Sequence, residues 1–286
     1  GWLGSRRLVV REVEAHVPDL PAAFDGLRVV QLSDLHVGPH TSRRFLARVA
    51  RTARALAPDL IVATGDLVDD RAEDVEPFAA WLRTLEAPGA GAPALGVWLI
   101  PGNHDVYAGW SVVAAGLRRL TGARLLVNEA HVLRRGGASL ALLGTGDPAG
   151  RGRGPLGGEG AEGAAPDLGR AFARVPADVP ILAFAHNPAL WPALAERGVA
   201  LTLSGHTHWG QLALPRLGWS LASPFLEHAM GGYQDGDALL YVHPGTGFWG
   251  IPFRLGAFPE VARVTLRRAE PAAGASLAMG AARRAA

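Results

Sequence analysis

Residues 27–36 read LRVVQLSDLH. The run LRVVQL is short and apolar, and it ends in Ser33-Asp34. A short apolar run that stops on small polar residues reads as a buried strand. In open α/β sheets, functional side chains gather at the carboxyl ends of such strands. The same grammar recurs downstream, where Leu60-Ile61-Val62-Ala63 closes on Gly65-Asp66 and Val97 to Ile100 closes on Pro101-Gly102. Between these runs, Thr41 to Leu56 has helical periodicity, with Phe45, Leu46, Val49, Ala53 and Leu56 on one side. Residues 72–86 read as a second helix. This alternation of strand and helix predicts a layered α/β fold.

Outward from that core, Leu8 to Ala15 reads as an opening strand. Val132-Leu133, Leu140 to Leu143, Ile181 to Ala185, Leu201 to Leu203, Leu239 to Val242 and Val261 to Leu266 supply further strands. The Gly- and Pro-rich stretch 144–166 reads as a long flexible loop. One domain over 1–266 is expected, followed by an Ala/Arg/Gly-rich tail, 267–286, without periodicity and expected to be disordered.

Five polar clusters follow the strand-like runs: Asp34-Leu-His36, Gly65-Asp66-Leu-Val-Asp69, Gly102-Asn103-His104-Asp105, His186, and Gly205-His206-Thr-His208. Five of the ten histidines fall in them, which is too concentrated for surface scatter. With no cysteine in the chain, any metal must sit on His, Asp, Glu or Asn. Those donors suit manganese, iron or zinc. At an extended strand end, residues i and i+2 point the same way, so Asp34 and His36 can grip one ion together. Taken singly, each cluster has a plainer reading. Asp34 could cap a helix, Asn103 could make a turn, and His186 could be a core histidine. As a set in this order, they point to one metal site.

The ordered series D-x-H, GD-x-x-D, GNHD, a lone His and GHTH resembles the calcineurin-like metallophosphoesterases over residues 27–266. The resemblance implies a four-layer sandwich, with two mixed β-sheets flanked by helices. It also implies two metal ions. Asp34, His36, Asp66 and His208 would hold one; Asp66, Asn103, His186 and His206 would hold the other, with Asp66 bridging. His104 would face the substrate, oriented by Asp69. The implied activity is hydrolysis of a phosphodiester, pyrophosphate or phosphomonoester by a hydroxide bridging the ions. An inactive metal-binding scaffold and a nuclease are the alternatives. The segment from Val242 to Leu255, VHPGTGFWGIPFRL, is similar to a branch whose members often carry N-terminal membrane segments. One departure stands out: Trp209 occupies the place where the family commonly has Gly, and a bulky indole there is expected to reshape the pocket mouth.

The remaining features are weaker. A pI of 9.6 beside a formal charge of only +2 reflects a chain without lysine rather than a basic patch, so sequence-specific nucleic-acid binding is not expected. No run of ~18 apolar residues crosses a membrane. The chain opens on Gly1 rather than Met, which fits a native start lying upstream. The expectation is a soluble domain whose full-length protein is attached to a membrane, acting on a small-molecule or lipid-like phosphoester. Arg44, Arg48 and Arg51 form a stripe that reads as a solvated helix face. Trp209, Trp219, Phe225, Phe248 and Trp249 read either as core or as an apolar wall beside the site. Asp147 reads as a turn former, and Asp105 as support or surface. His16, His40, His131 and His228 read as structural or exposed, with His243 a weak pocket candidate.

Overall fold

The computed structural model describes residues 2–152, 163–270 and 274–285. Two mixed sheets face each other. The first runs β15 (Ser276–Met279), β1 (Val9–Val17), β14 (Glu260–Arg268), β2 (Arg28–Leu32), β3 (Leu60–Thr64), β4 (Val97–Ile100) and β5 (Arg124–Leu125), with β16 (Arg283–Arg284) also paired to β1. The second runs β12 (Gly231–Asp235), β13 (Ala238–Val242), β9 (Leu201–Ser204), β8 (Ile181–Phe184), β7 (Ala138–Gly144) and β6 (Glu129–Arg135). A two-stranded ribbon, β10 (Ala213–Leu214) with β11 (Trp219–Ser220), stands apart.

Strand alternation divides the apolar side chains between layers. Val29, Val62 and Trp98 of the first sheet pack inward against Leu142, Phe184 and Leu203 of the second. Val30, Ile61 and Leu99 face outward, against α1 (Arg43–Ala55), α2 (Val75–Glu86) and α4 (Trp110–Leu120). On the far side, Ala141 and Ala183 meet α5 (Leu168–Phe172), and Leu240 meets Trp191 of α6 (Trp191–Ala195). The result is the expected four layers of helix, sheet, sheet and helix. Gln31 stitches the two sheets beneath their rim. It is fully buried, and its Nε2 donates to Thr64 Oγ1 and to Ser204 O, both at 3.0 Å.

Three expectations change. The segment expected to be a disordered tail forms β15 and β16, which pair antiparallel with β1. Its weak periodicity hid an edge whose stability comes from β1's free hydrogen-bonding side. Within the expected loop 144–166, residues 144–152 are ordered around a short 3-10 turn at Pro148–Arg151 capped by Asp147, and the span 153–162 lies outside the described residues. The GNHD cluster is itself the start of a helix, α3 (Asn103–Tyr107), rather than only a turn.

Candidate metal centre

The clusters converge on the sheet rim through unusual backbone. Asp34, His36, Asp66, His206 and His208 all adopt left-handed conformations, with φ of 51°, 44°, 50°, 70° and 48°. Non-glycine residues adopt this region at a cost, and they persist in it only where the surroundings over-determine them. The loop Ser33–Val37 is held by a ladder to the neighbouring loop: Asp34 N donates to Gly65 O, His36 N to Asp66 O, and Val37 N to Leu67 O. The expected extended geometry at Asp34 and His36 is therefore replaced by two left-handed residues, whose side chains still converge. Two glycines make room. A Cβ at Gly102 would collide with Asp66, and one at Gly205 would collide with Ser33 and the Asp34 carboxylate.

Asp34, His36, Asp66 and His208 are all buried, and each offers a donor atom within 4.8 Å of the others. His208 Nε2 lies 3.3 Å from Asp34 Oδ1 and 3.0 Å from His36 Nε2. Beside this group, His186 Nε2 lies 3.2 Å from Asp66 Oδ2 and 3.2 Å from Asn103 Oδ1, and His206 Nδ1 lies 2.8 Å from Asn103 Oδ1. All seven residues expected as ligands therefore meet, with Asp66 between the two groups. Buried carboxylates and imidazole nitrogens at this density fit divalent cations.

Ionisation states reflect the crowding. Burial would raise Asp66, but His186, His36 and His104 hold it well below the usual carboxylate range. Burial would lower His186, but Asp66 chiefly, with Asp34 and Asp147, drives it well above the ordinary imidazole value. His206 is pushed down to about 4 by burial and by His186. These two directions describe an ionised Asp66 beside a protonated His186, and His186 would have to give up that proton to bind a cation.

The supporting contacts fix tautomers. His186 Nδ1 faces Thr64 O at 2.7 Å, which aims Nε2 into the site. His36 Nδ1 faces Asp69 Oδ1 at 3.2 Å, with Nε2 turned inward. Asp69 was expected to orient His104; instead it backs His36, and its Oδ1 stands 4.0 Å from His104 Nδ1. The partner of His104 Nδ1 is Asp70 Oδ1, at 2.8 Å. Two adjacent aspartates on a turn point to different histidines, which spacing alone does not resolve. His36, Asp69 and His104 also offer donors within 4.8 Å of one another.

Two further residues support the site: Asp105, read from the sequence as support or surface, and Arg254, which no cluster contains. Asp105, fully buried, accepts from the backbone N of Gly102, Leu67 and Val68, so it ties the Asp66 loop to the Asn103 loop. Burial and the Asp66 charge push it up to about 7, against those three N–H bonds. Arg254, also fully buried, donates from Nη2 to His208 Nδ1 at 2.8 Å and to Gly247 O at 2.6 Å. Its Nη1 donates to Pro244 O and Ala257 O. Burial pushes it down to about 10. Arg254 lies between Phe253 and Leu255 in the segment that carries the branch resemblance, but nothing in its spacing marks it as a partner of His208.

Asp147 lies 1% exposed, caps Ala149 N with Oδ1, and is pushed up to about 6 by burial. His243 is fully buried, accepts from Gly245 N and does not line the pocket. His228 packs on Trp191 and Tyr233. Trp209 does not shape the mouth. Its left-handed backbone turns the indole into the core, where Nε1 donates to Val242 O. The aromatic at the mouth is Trp249, 6.1 Å from the His104 ring, on the wall of a pocket of about 320 Å³.

A model of the calcineurin-like phosphoesterase family matches residues 27–210. A transmembrane protein with metallophosphoesterase domain from Danio rerio is 34% identical over 271 residues, covering 91% of this chain and 57% of that protein. An uncharacterized metallophosphoesterase from Bacillus subtilis, YkuE, is 30% identical and is covered over 82% of its length, against 87% of this chain. The chain thus spans little more than half of the first of these relatives. Among solved structures, the sulfate thiohydrolase SoxB of Thermus thermophilus shares the fold at a TM-score of 0.50 and 17% identity, over 87% of this chain and 57% of that one.

Proposed function

The chain belongs to the calcineurin-like phosphoesterase family, and from that premise we propose that it is a two-metal phosphoester hydrolase. The observation that carries this reading is the convergence of seven donor residues from loops on both sheets, with the buried Asp66 carboxylate between the two groups. Asp34, His36, Asp66 and His208 would hold one ion, and Asp66, Asn103, His186 and His206 the other. Manganese, iron and zinc all suit the donor set. When bound, such ions supply Lewis-acid activation of a phosphoryl group and of water.

The chain's own residues do the rest. Asp70 holds His104 by Nδ1, leaving Nε2 as the atom that meets the substrate. From there it can donate to a phosphoryl oxygen or protonate a departing alkoxide. His104 N donates to Asp66 Oδ1 at 2.8 Å, so the bridging carboxylate and the acid are set by one short stretch of backbone. Trp249 and Leu226 wall the pocket and limit water on that side. A positioned donor would serve the alkoxide leaving group of a mono- or diester and the phosphate leaving group of a pyrophosphate.

The inactive scaffold is disfavoured because every donor and His104 are in place. Relatives named as transmembrane proteins support attachment of the whole protein to a membrane; no helix among the described residues is long and apolar enough to cross one. The test is metal analysis with a hydrolysis screen over bis-p-nitrophenyl phosphate, p-nitrophenyl phosphate, cyclic nucleotides and nucleotide-diphospho-lipids. Metal-dependent turnover abolished by Asp66→Ala is expected. Two ions bound with no turnover on any substrate would favour the scaffold.

A further inference from the structure

Of fourteen large hydrophobic side chains left exposed among the described residues, six fall within 214–226 and four within 249–255. Such concentration is not scatter, since isolated exposed apolar residues are spread over ordinary surfaces while contiguous ones mark interaction sites. The two segments form one ledge. Residues 211–213 join them: Gln211 bonds Trp249 and Ile251, Ala213 N donates to Leu255 O, and Leu221 N donates to Leu212 O. The tips stand far out: Phe225 is 81% exposed, Leu217 76% and Ile251 67%. The ledge meets the metal centre directly, because Leu226 and Trp249 line its pocket.

The loop carrying Trp249 has a second side. Gly247, Phe248 and Pro252 wall a neighbouring cavity of about 510 Å³, together with Trp2, Arg6, Arg44, Arg48 and Arg51. The arginine–carboxylate pairs among the described residues all use other arginines. These four are cations without an acidic partner there. Arg48 is lowered by burial and by the charges of Arg284 and Arg51, as expected where positive groups crowd together. The stripe is the solvated face expected, with Arg44 and Arg51 exposed, and it borders the loop that carries Trp249.

We infer that this ledge and its arginine flank dock on an anionic phospholipid bilayer. The aliphatic and aromatic tips enter the headgroup boundary, and the arginines meet lipid phosphates. A large apolar face beside basic residues is the pattern of interfacial membrane binding. A protein partner would need its own apolar face ringed by carboxylates; a bilayer with anionic lipid offers both features at once. Docking this way sets the pocket mouth against the lipid surface. This deepens the hydrolase reading by naming the substrate class: a phosphoester with a lipid tail, presented from the membrane.

The test does not depend on turnover, so it can fail separately from that reading. The chain is sedimented with phosphatidylcholine vesicles, with and without phosphatidylglycerol. Binding to the anionic vesicles only, weakened by salt, is expected. Phe225→Ser with Ile251→Ser should abolish it, and Arg44→Gln with Arg51→Gln should weaken it by about fivefold per arginine. Both variants should keep wild-type turnover of bis-p-nitrophenyl phosphate, which reports folding and the metal centre. No vesicle binding by the wild type overturns the proposal. Binding that survives both double variants overturns it too, as does self-association abolished by the apolar variant without vesicle binding, which would make the ledge a contact between copies.

Discussion

Asp66 is the residue on which the centre turns. Its Oδ2 faces His186 and His36, while its Oδ1 accepts from His104 N. Asp66→Ala should therefore lose both ions by elemental analysis; two ions retained would remove its bridging role. His104→Ala should keep the metals and lose about 10²–10⁴-fold in turnover. The loss should shrink for substrates with good leaving groups, and an equal loss across leaving groups would make His104 a positioning donor instead of an acid. The aspartate pair separates cleanly. Asp69→Asn should weaken metal binding about 10–100-fold through His36, while Asp70→Asn should lower turnover with metal content unchanged, both read from metal titrations beside steady-state rates. The clusters holding the seven expected ligands were legible because each follows an apolar run, while the choice of those seven within them came from the family resemblance. The assignment of Asp69 was not, because turn geometry decides which of two neighbours meets which ring. Trp209 misleads for a related reason: a left-handed residue sends its side chain where a strand-like reading would not.

Among the elements, the segment between β13 and β14 carries information that periodicity does not show. Arg254 spans it, bonded to three carbonyls and to His208. Arg254→Met leaves those acceptors buried and unpaired, and should cost about 3–5 kcal/mol in urea unfolding of the metal-free protein. His243, just past β13, is pushed down to about 4 by burial, against Glu260. The folded state thus binds its proton less readily than the unfolded chain. Stability from keeping it neutral is whole above the unfolded value near 6.5 and falls as pH drops toward 4. The loss approaches about 3 kcal/mol. His243→Asn, which retains an acceptor for Gly245 N, should flatten that acid limb; unchanged slopes between pH 7 and 4.5 would place the titration elsewhere. Helices α1 and α2 were legible from their apolar stripes. β15 and β16 were not, because an edge strand of Ala, Ser and Arg draws its order from the strand it joins.

Across the whole molecule, the donors come from both halves of the sandwich. Asp34, His36, Asp66 and Asn103 follow strands of the first sheet, and His186, His206 and His208 follow strands of the second. Bound cations would thus cross-link the sheets. Manganese at about 100 times its dissociation constant should add about 2.7 kcal/mol to unfolding, with chelation reversing the shift in calorimetry. The layered class was legible because alternation of strand and helix admits few other solutions, but the strand order was not. β1, the first strand of the chain, lies between β14 and β15, pairing Val9 with Glu260 and Val13 with Met279. On the ribosome this has a consequence in time. At about 5–20 residues per second, the opening strand waits on the order of 12–50 s for its neighbours to be made. Until then its unpaired backbone edges stand open in the nascent chain, and that interval is when a ribosome-associated chaperone would be needed.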